Sequence, residues 1–298
     1  MDSIPLEFGE SALGLLPEIP GHMEILPKVW ETAAERCQNI QLYEITLHKA
    51  TEDEYEFFCL GPDPNGEDAV EVKLADFLDL DVKHVRISFF KFDEIEDESL
   101  QADRLTLDRL RSLIPHFQSL MTSETRLHFN QLPHCDVFES LITFPRIQNV
   151  FMEYLGLQAE AVFTQRQATS PFTYLLLDGD WPVKTHDVIL PAVESGAVLS
   201  LTFLDGPLKI TLDYVKAVFR LWHQAPQDSL FKRDLTGYMA FSYQELYVLF
   251  ADLENPVISP HMLSCGNPGS NVHCHVHVDC KGEPFIQLTA IKMPSSDV

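Results

Sequence analysis

Apolar and polar residues recur along this chain in patterns that sort most of it into short strands and amphipathic helices. Residues 55–60 and 70–74 have the aromatic and β-branched content of strands, and the Gly61-Pro62-Asp63-Pro64-Asn65-Gly66 run between them is turn chemistry. Proline fixes φ there, and glycine and asparagine tolerate positive φ. Four later segments share one pattern: 126–129 (RLHF), 149–152 (NVFM), 173–176 (TYLL) and 200–203 (SLTF). With Leu127, Val150, Tyr174 and Leu201 taken as equivalent, the offsets are 23, 24 and 27 residues. The last two segments run into Leu177-Asp178-Gly179 and Leu204-Asp205-Gly206. Helical patterns accompany them. Leu107, Leu110, Ile114 and Phe117 fall on one face at spacings of three and four. Asp136 is placed to cap a helix over 137–143 that Pro145 ends, and Asp187 to start one that Gly196 closes. Leu212, Val215, Val218, Phe219 and Trp222 make the cleanest apolar stripe.

Strand followed by helix at about 25 residues is the period of leucine-rich-repeat solenoids, whose units stack because one strand–helix pair cannot cover its own apolar face. The spacing therefore predicts an α/β fold whose body is an irregular leucine-rich-repeat-like solenoid of parallel strands and helices. No segment meets the Leu-x-x-Leu-x-Leu-x-x-Asn consensus, and an ordinary α/β sheet with accidental spacing is the alternative. Beyond Trp222 the pattern changes. Residues 236–242 read as a strand, 243–252 as a helix, and the Pro-, Gly-, Ser- and Asn-rich stretch 256–271 as an ordered loop. Residues 272–280 and 284–291 then pair as a C-terminal β-hairpin about Lys281-Gly282.

Charge narrows the function. Against 45 Asp and Glu stand 21 Lys and Arg, a net of −24, and residues 51–100 alone carry 16 acidic against four basic residues. Such a field repels phosphate backbones and anionic lipid, so neither nucleic acid nor a membrane surface is an expected partner. No apolar run is long enough to span a bilayer, and the opening residues have no basic segment of the signal-peptide kind, which points to the cytoplasm or nucleus. The six cysteines form no Cys-x-x-Cys pair and read as free thiols in a reducing compartment.

One stretch has metal-ligand spacing. On a strand, His273, His275 and His277 share a face, and alternate histidines about 6.5–7 Å apart reach one zinc. His261 and Cys265 lie upstream to complete a set. The other reading of the same residues is a half-buried hairpin with Val276, Val278 and the cysteines inside and the histidines wet. The familiar nucleophile-elbow, phosphate-loop, dinucleotide and zinc-protease motifs are missing from the sequence, and Asp178-Gly179-Asp180 reads as a turn. The chain is accordingly expected to be non-enzymatic and to need no cofactor, with a zinc-binding protein or zinc-dependent hydrolase built on the three histidines as the alternative.

The N-terminus carries a resemblance. Ile4-Pro5-Leu6-Glu7-Phe8, then Leu13, Leu15 and Leu16, then Leu26, Val29, Trp30 and Ala33 resembles an F-box, with Ile4-Pro5 as its opening and Val29-Trp30 as its closing helix. The whole chain is similar to nematode-type F-box and F-box-associated proteins with irregular leucine-rich-repeat-like bodies. The resemblance implies that Leu6, Phe8, Leu15, Leu16 and Trp30 dock on the adaptor subunit of a cullin-RING ubiquitin ligase while the body recognises a protein substrate. The same residues otherwise cap the first repeat, since repeat arrays need capped ends. The chain then divides into an F-box-like segment (1–36), an acidic strand-rich section (37–104), a repeat-like α/β body (105–254) and a loop with the C-terminal hairpin (255–298). The outward strand positions His128, Phe151, Glu153, Thr173 and Thr202 are the expected partner contacts.

Overall fold

The computed structural model describes residues 40–63, 69–93, 102–226, 230–251, 253, 255–259, 262–267, 270–278 and 283–293. They form an α/β protein on mixed β-sheet that does not close into a barrel. The chain divides between Ile147 and Gln148 into two compact units.

In the first unit, strands β1 (Gln41–Lys49), β2 (Glu54–Gly61), β3 (Val70–Glu71), β4 (Val85–Phe92) and β6 (Met121–Phe129) lie in the order β3-β2-β1-β4-β6, with β5 (Asp103–Thr106) on β2. β4 runs parallel to β1 and β6, whereas β2 is antiparallel to β1, β3 and β5. Strand alternation sends Tyr43, Ile45 and Leu47 of β1 inward together with Phe57, Phe90 and Phe92, all buried. Helix α2 (Leu107–Leu120) lays the predicted stripe on them. Phe117 stacks on Phe57 at 6.1 Å and meets Phe90 at 5.5 Å, while Phe77 from α1 (Leu74–Leu78) closes the cluster. Thr106 caps α2 by accepting from the Arg109 amide. Two expectations change. The expected strand 70–74 is shorter, Val70–Glu71, because Leu74 opens α1 with its amide donated to the Asp103 carboxylate at 2.7 Å. Helix α3 (Cys135–Ile142) starts before Asp136, which sits in its first turn and accepts from the Val137 amide.

The second unit holds β7 (Asn149–Glu153), β8 (Tyr174–Asp178), β9 (Ser200–Phe203) and β10 (Phe231–Tyr238) as successive parallel neighbours. Helices α4 (Leu157–Thr169), α5 (His186–Glu194) and α6 (Leu212–Gln224) make the crossovers. The sheet continues antiparallel through β14 (Pro284–Lys292), β13 (Ser270–Val278), β12 (Met262–Asn267) and β11 (Val257–Ile258). Val150, Met152, Leu175, Leu177, Leu201, Phe203 and Leu235 all point to one buried face. The helices cover that face: Phe203 meets Tyr214 of α6 and His186 of α5 at 5.9 and 5.6 Å. Phe219 of α6 in turn packs on Phe250 of α7 (Tyr243–Ala251) at 5.1 Å.

A buried and a half-buried cation finish helix ends in this unit. Lys292 donates to the carbonyls of Trp222 and Ala225 at 3.1 and 2.6 Å, and Arg233 donates to that of Gly196 at 2.9 Å, so carbonyls at the ends of α6 and α5 are satisfied. The repeated Leu-Asp-Gly tails also stack. A Cβ on Gly206 (φ 132°) would sit 2.0 Å from the Gly179 carbonyl oxygen, which explains why glycine stands there.

The register corrects the repeat equivalence by one position: Val150 pairs with Leu175, and Leu175 with Leu201, so Leu175 rather than Tyr174 is the repeated inward residue. Leu127 belongs to the first unit, beside Phe90 of β4. β10 begins five residues before the expected strand 236–242, and part of 256–271 is strand, as β11 and β12, rather than loop. The C-terminal part is thus a four-stranded antiparallel extension of β10, of which the expected hairpin is the inner half.

Candidate functional site

The site follows from strand alternation in the second unit. If one face of every strand is buried under helices, the intervening residues form the opposite face. Register places Phe151, Leu176, Thr202, Thr236, Gln287, His275 and Met262 in one row across seven strands. Six interstrand steps of about 4.8 Å make that row roughly 29 Å long. It contains no carboxylate, ammonium or guanidinium group. Gln287 and His275 are exposed, and the other five are half-buried, as expected of neighbours shoulder to shoulder on a sheet face that no helix among the described residues covers.

The flanking rows give this face its chemistry. On one side Tyr174, Ser200, Asp234, Thr289 and His273 follow in register, with Thr289 donating to the Asp234 carboxylate at 2.7 Å. Lys232 reaches the same carboxylate at 3.4 Å. On the other side Tyr238, Phe285 and His277 form a ladder of rings, 5.2 and 4.9 Å between successive centroids. At the carboxyl ends of β7 and β8, Glu153 stands directly across from Asp178.

The expected contacts fall unevenly on this surface. Phe151, Glu153 and Thr202 lie on it. Thr173 precedes β8 and donates its hydroxyl to Gln148, so the strand's outward residues are Tyr174, Leu176 and Asp178. His128 sits on β6 of the first unit in a different polar network. Its Nε2 contacts the Asn130 amide oxygen at 2.9 Å, Asn130 donates to Asp93 at 3.1 Å, and Gln131 lies 3.2 Å from His48 Nδ1. Gln131 also accepts from the Lys49 amide, which turns its NH2 group toward His48. Burial holds His128 below the ordinary imidazole range, against the opposing pull of Asn130. His48, Asp93, Asn130 and Gln131 come from three separate parts of the sequence and meet only because β1, β4 and β6 run parallel with their carboxyl ends aligned. Nothing in their local sequence marks them.

The histidine strand alternates as expected. His275 and His277 are exposed and His273 half-buried, whereas Val272, Cys274 and Val276 are buried. The register neighbours of the histidines are Thr289, Gln287 and Phe285 on β14 and Ser264 and Met262 on β12. Cys265 does not join them: it points with Leu263 and Cys274 to the helix-covered side, where burial pushes its thiol up to about 11 and that of Cys274 to about 12. Among the described residues no group of three His, Cys, Asp or Glu is placed to hold a metal ion. His261 and the adaptor-docking candidates Leu6, Phe8, Leu15, Leu16 and Trp30 lie outside the described residues. No helix among the described residues is long and apolar enough to cross a membrane. No protein-family model matches the chain, and no curated protein or solved structure is significantly similar to it.

Proposed function

We propose that this chain is a non-enzymatic protein-binding protein that grips its partner on the face of the second unit that no described helix covers. The observation that carries this reading is the uninterrupted row from Phe151 to Met262. A surface that long and without a charged residue along its middle has the make-up of a protein interface, whose centre is depleted of charge. A standard interface takes about 800 Å² from each partner, which a face of seven strands can supply. The succession of parallel strands β7 to β10 with one-sided helical crossovers supports a body of the leucine-rich-repeat-like kind, in which the strand face does the recognising.

Joined to the F-box-like pattern of residues 1–36, this makes the protein a substrate-recognition subunit of a cullin-RING ubiquitin ligase, acting in the cytoplasm or nucleus. Leu6, Phe8, Leu15, Leu16 and Trp30 dock the adaptor, and the sheet face holds the substrate. Quantitative affinity capture with the full chain tests both halves. Thr202→Arg, which plants a long cation in the middle of the row, is expected to lose the substrate and keep the adaptor. Phe8→Ala with Trp30→Ala is expected to do the reverse. Unchanged capture by Thr202→Arg overturns the face assignment, and unchanged adaptor recovery by the double variant overturns the docking assignment.

A further inference from the structure

Resting on the reading that the helix-free face holds a protein, we infer that the segment it holds is basic: a lysine or arginine of the partner lies with its stem over Phe151 and Leu176 and its head group between Glu153 and Asp178. The placement comes from the register. Phe151 is directly across from Leu176, and two residues further along the same strands Glu153 is directly across from Asp178. An apolar pair is thus followed, one side-chain step on, by a pair of carboxylates. That sequence of surfaces matches a side chain with an aliphatic stem and a cationic end. Leu176 and Phe151 are half-buried, Asp178 is half-buried and Glu153 exposed, so the pair is accessible from the uncovered side.

Among the described residues the two carboxylates have no counter-charge. Neither is hydrogen-bonded or ion-paired through its side chain to another described residue. Among the described strand residues on this face the only Lys or Arg is Lys232, and it is held by Asp234 at 3.4 Å. Like charges directly across a strand pair oppose folding. The fold therefore keeps a locally unfavourable arrangement that a cation from outside would relieve. Asp180 follows in the same turn and strengthens the negative potential, and the chain's net charge of −24 attracts a basic partner from a distance. An acidic partner would meet repulsion at this edge, and a wholly apolar one would bury two carboxylates without compensation.

The test uses the full chain and fluorescein-labelled peptides of alternating lysine and valine, with glutamate–valine peptides as the counterpart. The lysine peptide is expected to bind and the glutamate peptide not. Because any basic peptide is drawn to so acidic a protein, the comparison is between two variants of equal charge change. These are Glu153→Gln with Asp178→Asn on the face, and Glu139→Gln with Asp213→Asn at exposed helix positions elsewhere. At about 0.15 M salt the face variant is expected to weaken binding about tenfold, and the control by no more than about twofold. The thermal midpoint of the face variant is expected to equal or exceed that of the unaltered protein, which a merely structural carboxylate pair would not give. Equal losses in the two variants, or no loss in the face variant, overturn the proposal. Thr202→Arg separates the two levels. If it abolishes partner capture while the face variant leaves capture intact, the face stands and the basic chemistry is wrong. If it too leaves capture intact, the underlying reading fails with it.

Discussion

A single methyl group separates tolerated from forbidden sequence at Gly206. The Cβ of alanine there would overlap the Gly179 carbonyl oxygen at 2.0 Å, backbone against backbone, with no flexible atom to yield. Gly156 also has positive φ, 93°, but nothing lies within 4 Å of its would-be Cβ. Gly156→Ala is therefore expected to cost only the conformational term of about 1–3 kcal/mol, and Gly206→Ala clearly more. Urea denaturation of the two variants measures the difference, and equal costs would show that the two turns do not stack. His186 sets a second expectation. Burial holds its imidazole below the ordinary range, partly offset by Asp187, and its Nδ1 lies 2.8 Å from the Tyr214 hydroxyl. A depressed folded-state value means that the unfolded chain takes the proton first. The contribution of His186 is complete above about pH 6.5 and is lost as the pH falls toward its lower folded-state value. Denaturation midpoints between about pH 7.5 and 5.5 should fall less in His186→Phe than in the unaltered protein; an equal fall would assign the acid sensitivity to other groups.

Helices were more legible than strands, and the reasons lie in particular residues. The stripes of α2 and α6 announce themselves at spacings of three and four, and Phe117 and Phe219 are buried as those stripes require. The first half of β10 did not announce itself, because Lys232, Arg233 and Asp234 look like a loop. Arg233 instead turns inward to the Gly196 carbonyl and Asp234 takes Thr289, partners that only the folded sheet supplies. β12 was hidden for a related reason: Ser264, Gly266 and Asn267 have poor strand propensity, and the segment is extended because β13 pairs with it. The one-residue slip at Tyr174 likewise shows that spacing alone leaves strand phase undetermined, and that slip moved Thr173 onto the expected contact surface. Lys292 is the equivalent case at a helix end. Its ammonium group holds the last carbonyls of α6 from a strand far along the chain, so Lys292→Met, which keeps the stem and removes the donors, is expected to cost about 1–3 kcal/mol. Loss of hydrogen-exchange protection in the last turn of α6 would accompany that cost, and an unchanged stability would mean that solvent satisfies those carbonyls instead.

At the scale of the molecule, two kinds of information meet. The strand–helix alternation was written in the sequence, and it pointed to the α/β scaffold that is found. The outward row was not, because Phe151, Leu176, Thr202, Thr236, Gln287, His275 and Met262 come from seven separate strands and become neighbours only through register. The His48–Gln131 and Asn130–Asp93 contacts were invisible in the sequence for the same reason. The proposed seat of a protein partner is the sheet face of the second unit that no described helix covers. Carbene footprinting of the full chain, alone and with its captured partner, reads that directly. Protection is expected at Leu176, Thr202 and Gln287 with the outer surfaces of α4, α5 and α6 unchanged; protection of those helices with the row still fully labelled would place the partner elsewhere and contradict this assignment.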